Sequence, residues 1–119
     1  MNNFAEEKIK GSISDRKLFY ERFRKNCRTY EDFLSLEGKA FSDGALARKH
    51  KELMALAISL ATKCEPCIEW HTQQAILNGA SDEEIYETID VAIEMGGGPA
   101  GAYARYALHA MDFHKREKR

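Results

Sequence analysis

Residues 52–81 read ELMALAISLATKCEPCIEWHTQQAILNGAS. Cys64 and Cys67 stand three apart, and His71 follows four residues after the second cysteine. Upstream, Leu53, Leu56, Ala57 and Leu60 recur at helical rather than alternating spacing. Downstream, Pro66 suits the first turn of a second helix, where its missing N–H costs nothing. Gly79, just after Asn78, stops that helix. The stretch therefore predicts two helices, with the cysteines at the start of the second.

On such a helix Cys67 and His71 are i and i+4, stacked on one face. Cys64 lies one turn before Cys67, at the helix entrance. Side chains three apart on a helix have Cβ atoms about 5–6 Å apart. A disulfide prefers a shorter Cβ distance but tolerates Cα atoms up to ~6.8 Å apart, so a small adjustment at the helix start closes the bond. The positive end of the helix dipole lies there, and it favours thiolate, the nucleophilic form of cysteine. His71 is placed to take or relay a proton from Cys67. A base of this kind needs an orienting partner, and Glu52 on the preceding helix is the best candidate. Two plainer readings stand beside this one: Glu52 as a solvated acid next to Lys51, and the cysteines as inert buried thiols. Cys27 has no such neighbours and reads as a small core residue.

Working outward, the remainder also reads as helices. SDRKLFYERFRKNCRTYEDFL carries Leu18, Phe19, Phe23, Cys27, Tyr30, Phe33 and Leu34 at helical spacing, capped by Ser14 or Asp15 and ended by Gly38. SDGALARKHKELMALAISLATKC is capped by Ser42 or Asp43, with Leu46 on its buried side. SDEEIYETIDVAIEM opens on a capping box, Ser81 with Glu84, and carries Ile85, Ile89, Ala92 and Ile93 as its core stripe. Three glycines and Pro99 then turn the chain into AGAYARYALHAMDFHK, a helix apolar around most of its girth. Such a helix is buried more completely than a surface helix. In a small protein this predicts packing against another subunit. No segment reads as a strand.

The whole-chain properties narrow the function. A chain of 119 residues is read as one domain, 1–119, large enough to bury a core without covalent staples. The formal net charge of −1 argues for neither a nucleic acid nor a membrane partner. The basic tail HKREKR reads as a solvated helix end. No stretch approaches the ~20 apolar residues of a membrane span, and the N-terminus has no apolar core of a secretory signal. The expected location is cytoplasmic, where thiols are kept reduced and a disulfide is usually catalytic or redox-sensing. An odd count of three cysteines also fits poorly with a structural disulfide framework.

Two motifs mislead. GGGPAG satisfies the dinucleotide spacing at Gly96, Gly98 and Gly101, but the preceding segment is helical and no βαβ unit surrounds it. Cys64, Cys67 and His71 supply three ligands where a structural zinc site wants four. His109 and His114 point roughly 140° apart on a helix; His50 or Glu52 remains as a fourth. No cofactor and no metal are expected.

Together, residues 52–81 and IDVAIEMGGGPAGAYA (89–104) resemble the carboxymuconolactone decarboxylase superfamily in its alkyl hydroperoxidase D-like (AhpD-like) branch. The resemblance runs from about residue 37 to 113. Its motif is Glu, eleven residues, Cys-x-x-Cys, three residues, His, and Glu52, Cys64, Cys67 and His71 fit it at every step. Residues 1–36 form a helical extension without that signature. The resemblance implies an all-α bundle of about five to six helices, assembled as homotrimers or homohexamers. It also implies thiol-dependent peroxidase or disulfide oxidoreductase chemistry, with a hydroperoxide or disulfide substrate and an external dithiol reductant or redox partner protein. In that chemistry Cys67 attacks peroxide, Glu52 and His71 relay its proton, and Cys64 closes the disulfide and exchanges with the reductant. The helix dipole alone would make Cys64 the more acidic thiol. Glu65-Pro66 stands where well-studied members carry a second histidine, which removes one relay step. The alternatives are a lyase acting on a lactone and a zinc-stabilised structural oligomer.

Overall fold

The computed structural model describes residues 3–118, and all secondary structure among them is helical. The order is α1 (Asn3–Asn26), α2 (Tyr30–Phe41), α3 (Arg48–Ala61), α4 (Glu65–Leu77) and α5 (Asp82–Lys118). Helices α3, α4 and α5 pack around one core built from Leu53, Leu56 and Leu60, Ile68 and Ile76, and Ile85, Ile89 and Ala107. Burying each large aliphatic side chain is worth about 1.5–3 kcal/mol. Helix α1 joins this core through Ile9, with Ile13 packed against it.

The connections on either side of α4 share one solution. After α3, the Cys64 N–H bonds to Ser59 O (3.0 Å) and the Lys63 N–H to Leu60 O (3.3 Å). After α4, the Ala80 N–H bonds to Ala75 O (2.9 Å) and the Gly79 N–H to Ile76 O (3.0 Å). Both are Schellman stops, which need a left-handed residue. Gly79 supplies it at φ 91°, and Lys63 supplies it at φ 59° despite its side chain. For a non-glycine residue that conformation costs roughly 1–2 kcal/mol. It brings the chain straight from α3 into Cys64, the N-cap of α4.

Several expectations need correcting. The first helix begins at Asn3, well before Ser14 and Asp15, and breaks at residues 27–29. Gly38 lies inside α2, which runs on to Phe41. Leu18, Phe23 and Phe33 are exposed, and Cys27 is an exposed free thiol in the interhelical turn rather than a core residue. Residues 42–47 form a loop, leaving Leu46 exposed. Asp43 still serves α3, but from five residues away, its Oδ1 accepting the Arg48 N–H at 2.7 Å. The Ser81–Glu84 capping box forms in both directions, at 2.9 and 3.1 Å. Ile93 faces outward, while Ile85, Ile89 and Ala92 are buried. The glycine turn is a kink at Gly97 (φ 73°) within α5. The basic tail is not merely solvated: His114 is buried, Lys115 pairs with Asp82 and Arg116 with Glu6. The tail's last residue, Arg119, lies outside the described residues.

Candidate redox site

Helix α4 presents the cysteines at its mouth. Cys64 caps the helix, its Sγ accepting the Cys67 N–H at 3.3 Å, and the first turn is closed by the Ile68 N–H on Cys64 O. Cys64 and Cys67 are joined by a disulfide, with Cα atoms 5.3 Å apart. Both are half-buried. Pro66 between them faces solvent, and Glu65 pairs with Lys8 of α1.

One turn beyond Cys67, His71 is oriented by a buried acid. Glu52 on α3 is 1% exposed, and its Oε1 lies 2.8 Å from His71 Nδ1. A carboxylate can only accept there, so the ring carries its proton on Nδ1 and leaves Nε2 as the acceptor. Phe41, from the end of α2, stacks on the imidazole with centroids 5.4 Å apart and planes at 20°. Carboxylate and aromatic ring together leave the histidine little rotational freedom. The other oxygen of Glu52, Oε2, accepts from Arg48 Nε at 3.2 Å, and Arg48 Nη2 donates to Gln74 Oε1 at 2.9 Å. A cavity of about 380 Å³ opens on this side, lined by Phe41, Arg48, Glu52, Trp70 and His71 among others.

The four residues singled out in sequence fall into two pairs in the structure, Cys64 with Cys67 and Glu52 with His71. The reading of Glu52 as a solvated surface acid is overturned by its burial. His109 and His114 do not join the cysteines. Among the described residues, no group of three or more His, Cys, Asp or Glu side chains is arranged to hold a metal. No helix among them is long and apolar enough to cross a membrane.

Sequence reasoning missed a second charged cluster, two residues past Cys67. Glu69 is fully buried. Its Oε2 lies 2.8 Å from His114 Nε2 on α5, and its Oε1 takes a close contact from Arg16 and a 3.4 Å bond from Ser12, both on α1. Arg16 also lies over the Trp70 ring, 4.6 Å from its centroid. Burial by itself pushes the Glu69 carboxyl up, but the hydrogen bonds from His114 and Arg16, and their charges, outweigh it and hold the group below its usual value. A carboxyl with a depressed folded pKa contributes stability that is fully present above its unfolded value, near 4.5, and is lost as pH falls through the folded value. Glu69→Gln is expected to cost on the order of 3 kcal/mol at neutral pH, as for one partner removed from a buried pair. Denaturant unfolding followed from pH 7 to pH 3 should show the gap from wild type narrowing below about pH 4.5. A gap that stayed constant would remove the electrostatic account.

The chain belongs to the carboxymuconolactone decarboxylase family, whose model matches residues 28–110. The match begins just before α2, so α1 precedes it. Among related sequences, protein 4 of the cox locus of Paracoccus denitrificans is 45% identical over 67% of this chain and 72% of its own. Among solved structures, an apo family member from Legionella pneumophila superposes with a TM-score of 0.87 at 38% identity, covering 91% of this chain and 97% of that one. A Thermotoga maritima member, for which a part in the antioxidative response has been suggested, gives 0.83 at 29% identity over 91% and 92%.

Proposed function

We propose that the protein is a thiol-dependent peroxidase or disulfide oxidoreductase whose working unit is Cys64, Cys67, His71 and Glu52. The observation that carries this reading is the Cys64–Cys67 disulfide at the mouth of α4, one turn before a histidine held by a buried carboxylate. In the reduced protein, His71 Nε2 accepts the Cys67 proton and the thiolate attacks the terminal oxygen of a hydroperoxide. The O–O bond breaks, the alcohol leaves with the proton returned by His71, and Cys67 becomes a sulfenic acid. The Cys64 thiol attacks that sulfur, water leaves, and the disulfide results. An external dithiol then restores both thiols by exchange, with Cys64 the sulfur it engages. The same pair can pass electrons to a disulfide substrate by exchange alone. The antioxidative role suggested for the Thermotoga relative agrees with this chemistry. A lactone lyase would leave the cysteine pair without a task.

Mass analysis of the reduced protein before and after one equivalent of hydroperoxide tests the proposal. The expected result is loss of two thiols and two hydrogens per chain, reversed by dithiol. Thiols that stay free, or one tightly bound zinc per chain, would overturn it.

A cytoplasmic location and a homotrimeric or homohexameric assembly belong to the same proposal. The final helix spends most of its apolar girth inside the subunit, through Ala100, Ala104, Ala107, Ala110, Met111 and Phe113. The apolar surface that asks for a partner lies elsewhere. Helix α2 buries none of its residues, leaving Phe33 and Leu36 more than half exposed, and Met54, Ile58 and Val91 are similarly open on α3 and α5. Exposed apolar side chains in this number support association through these helices. Light scattering at micromolar concentration should return a multiple of the 13.6 kDa chain mass; a monomer would remove the assembly claim.

A further inference from the structure

We propose that Arg48 is a positioning residue for the redox site, acting through Glu52 and itself braced by Gln74. The inference rests on the peroxidase reading above and adds a residue to it. Glu52 is buried with two different partners. Its Oε1 faces His71 Nδ1 at 2.8 Å, and its Oε2 faces Arg48 Nε at 3.2 Å. A buried carboxylate oxygen without a donor is costly, and the group responds by turning toward one. Turning changes what His71 meets at Nδ1. A rotated Glu52 no longer fixes the tautomer that leaves Nε2 open.

Arg48 prevents this from outside the core. Its side chain is 43% exposed, so the guanidinium remains hydrated on one side. Its inner face is directed by two bonds, one to Glu52 and one from Nη2 to Gln74 Oε1 at 2.9 Å. Gln74 lies on α4, three residues past His71, so the brace ties the α3 acid back to the helix that carries the histidine. The backbone of Arg48 is also fixed, its N–H bonded to Asp43 Oδ1 at 2.7 Å. The chain of contacts runs from Gln74 through Arg48 and Glu52 to His71 and closes on α4. Planar guanidinium geometry suits this bridging task better than an ammonium point charge. Lysine at the same position still reaches Glu52 at i,i+4 spacing, but as a point charge it leaves Gln74 unbraced.

The test is a single-turnover measurement of Cys67 oxidation by a hydroperoxide, in the full-length reduced protein. It compares wild type, Arg48→Met, Arg48→Lys, Glu52→Gln and the double variant Arg48→Met/Glu52→Gln. Arg48→Met should slow oxidation by roughly tenfold, the scale on which partners that orient a working histidine act. Arg48→Lys should recover only part of the rate, because it restores the charge beside Glu52 but not the brace to Gln74. The double variant should be no slower than Glu52→Gln alone, because Arg48 acts only through that carboxylate. A merely structural arginine would lower stability without this dependence on Glu52. Should Arg48→Met fail to fold, Gln74→Leu replaces it and should slow oxidation in the same Glu52-dependent way. A wild-type rate in Arg48→Met beside a slow Glu52→Gln overturns the role of Arg48 and leaves the peroxidase reading standing. A wild-type rate in Glu52→Gln overturns the role of Arg48 together with the Glu52–His71 relay, and only a reduced wild-type protein whose Cys67 resists hydroperoxide overturns the peroxidase reading itself.

Discussion

Replacement of Cys67 by serine is expected to abolish hydroperoxide reduction, with consumption falling to the uncatalysed background. The whole reaction passes through one sulfur, and a serine hydroxyl cannot take its place as the nucleophile. Cys64→Ser is expected to behave differently. The first attack on peroxide should still occur, with one thiol lost per chain and no catalytic cycle. Cys67 would then persist as a sulfenic acid, because the exposed Cys27 in the α1–α2 turn is the remaining thiol and is not paired with it. A sulfenic-acid trap followed by mass analysis reads the adduct directly. Cys27→Ser should change little. Equal loss of first-attack activity in Cys64→Ser and Cys67→Ser would contradict the assignment of the two roles. Persistence of turnover in Cys67→Ser would end the proposal.

Glu52→Gln and His71→Phe are expected to slow thiol oxidation by about 10²–10⁴-fold, the usual worth of positioned acid–base assistance. The two variants should look alike, because Glu52 touches the chemistry only through His71 Nδ1 at 2.8 Å. Glutamine in place of Glu52 can present its amide oxygen or its NH2 to the ring, so the tautomer is no longer dictated. Phenylalanine for His71 keeps a flat ring against Phe41, which stacks on the imidazole in the native protein. Helix content by circular dichroism should therefore stay near wild type. A rate loss in one variant without the other would break the dyad into two unrelated residues.

Much of the site was legible before the structure because its geometry is local. Helical spacing alone sets Cys67 and His71 on a common face, and Cys64 stands at the entrance of the same helix. Glu52 needed the resemblance to a family, since nothing in spacing distinguishes a buried acid on α3 from a solvated one. Arg48 carried a weak signal: it stands four residues before Glu52, where an opposite charge pairs along a helix face. Glu69 had none. Its partners come from Arg16 and Ser12 on α1 and from His114 on α5, and pairs so distant in sequence leave no periodic trace.

The helix boundaries show the same division. The Ser81–Glu84 box and the Gly79 stop follow from local backbone chemistry, and both form as read. Lys63 escaped notice because a left-handed lysine has no sequence signature. Asp43 was read as an ordinary cap, and it reaches Arg48 from across a loop instead. The first segment failed most plainly. Ser14 and Asp15 looked like a start, but good helix formers precede them, and the helix runs through both. Leu18, Phe23 and Phe33 recur at helical spacing, but the single subunit offers them no core and they remain open.

The most direct test of the redox site is the rate of Cys67 alkylation against pH in the reduced protein, measured in parallel for wild type, Glu52→Gln and His71→Phe. The account predicts that both variants displace the wild-type profile and lower its rate near neutral pH, because the thiol has lost the group that takes its proton. Superimposable profiles for all three would mean that neither residue tunes the thiol, and would reduce the site to two cysteines on a helix.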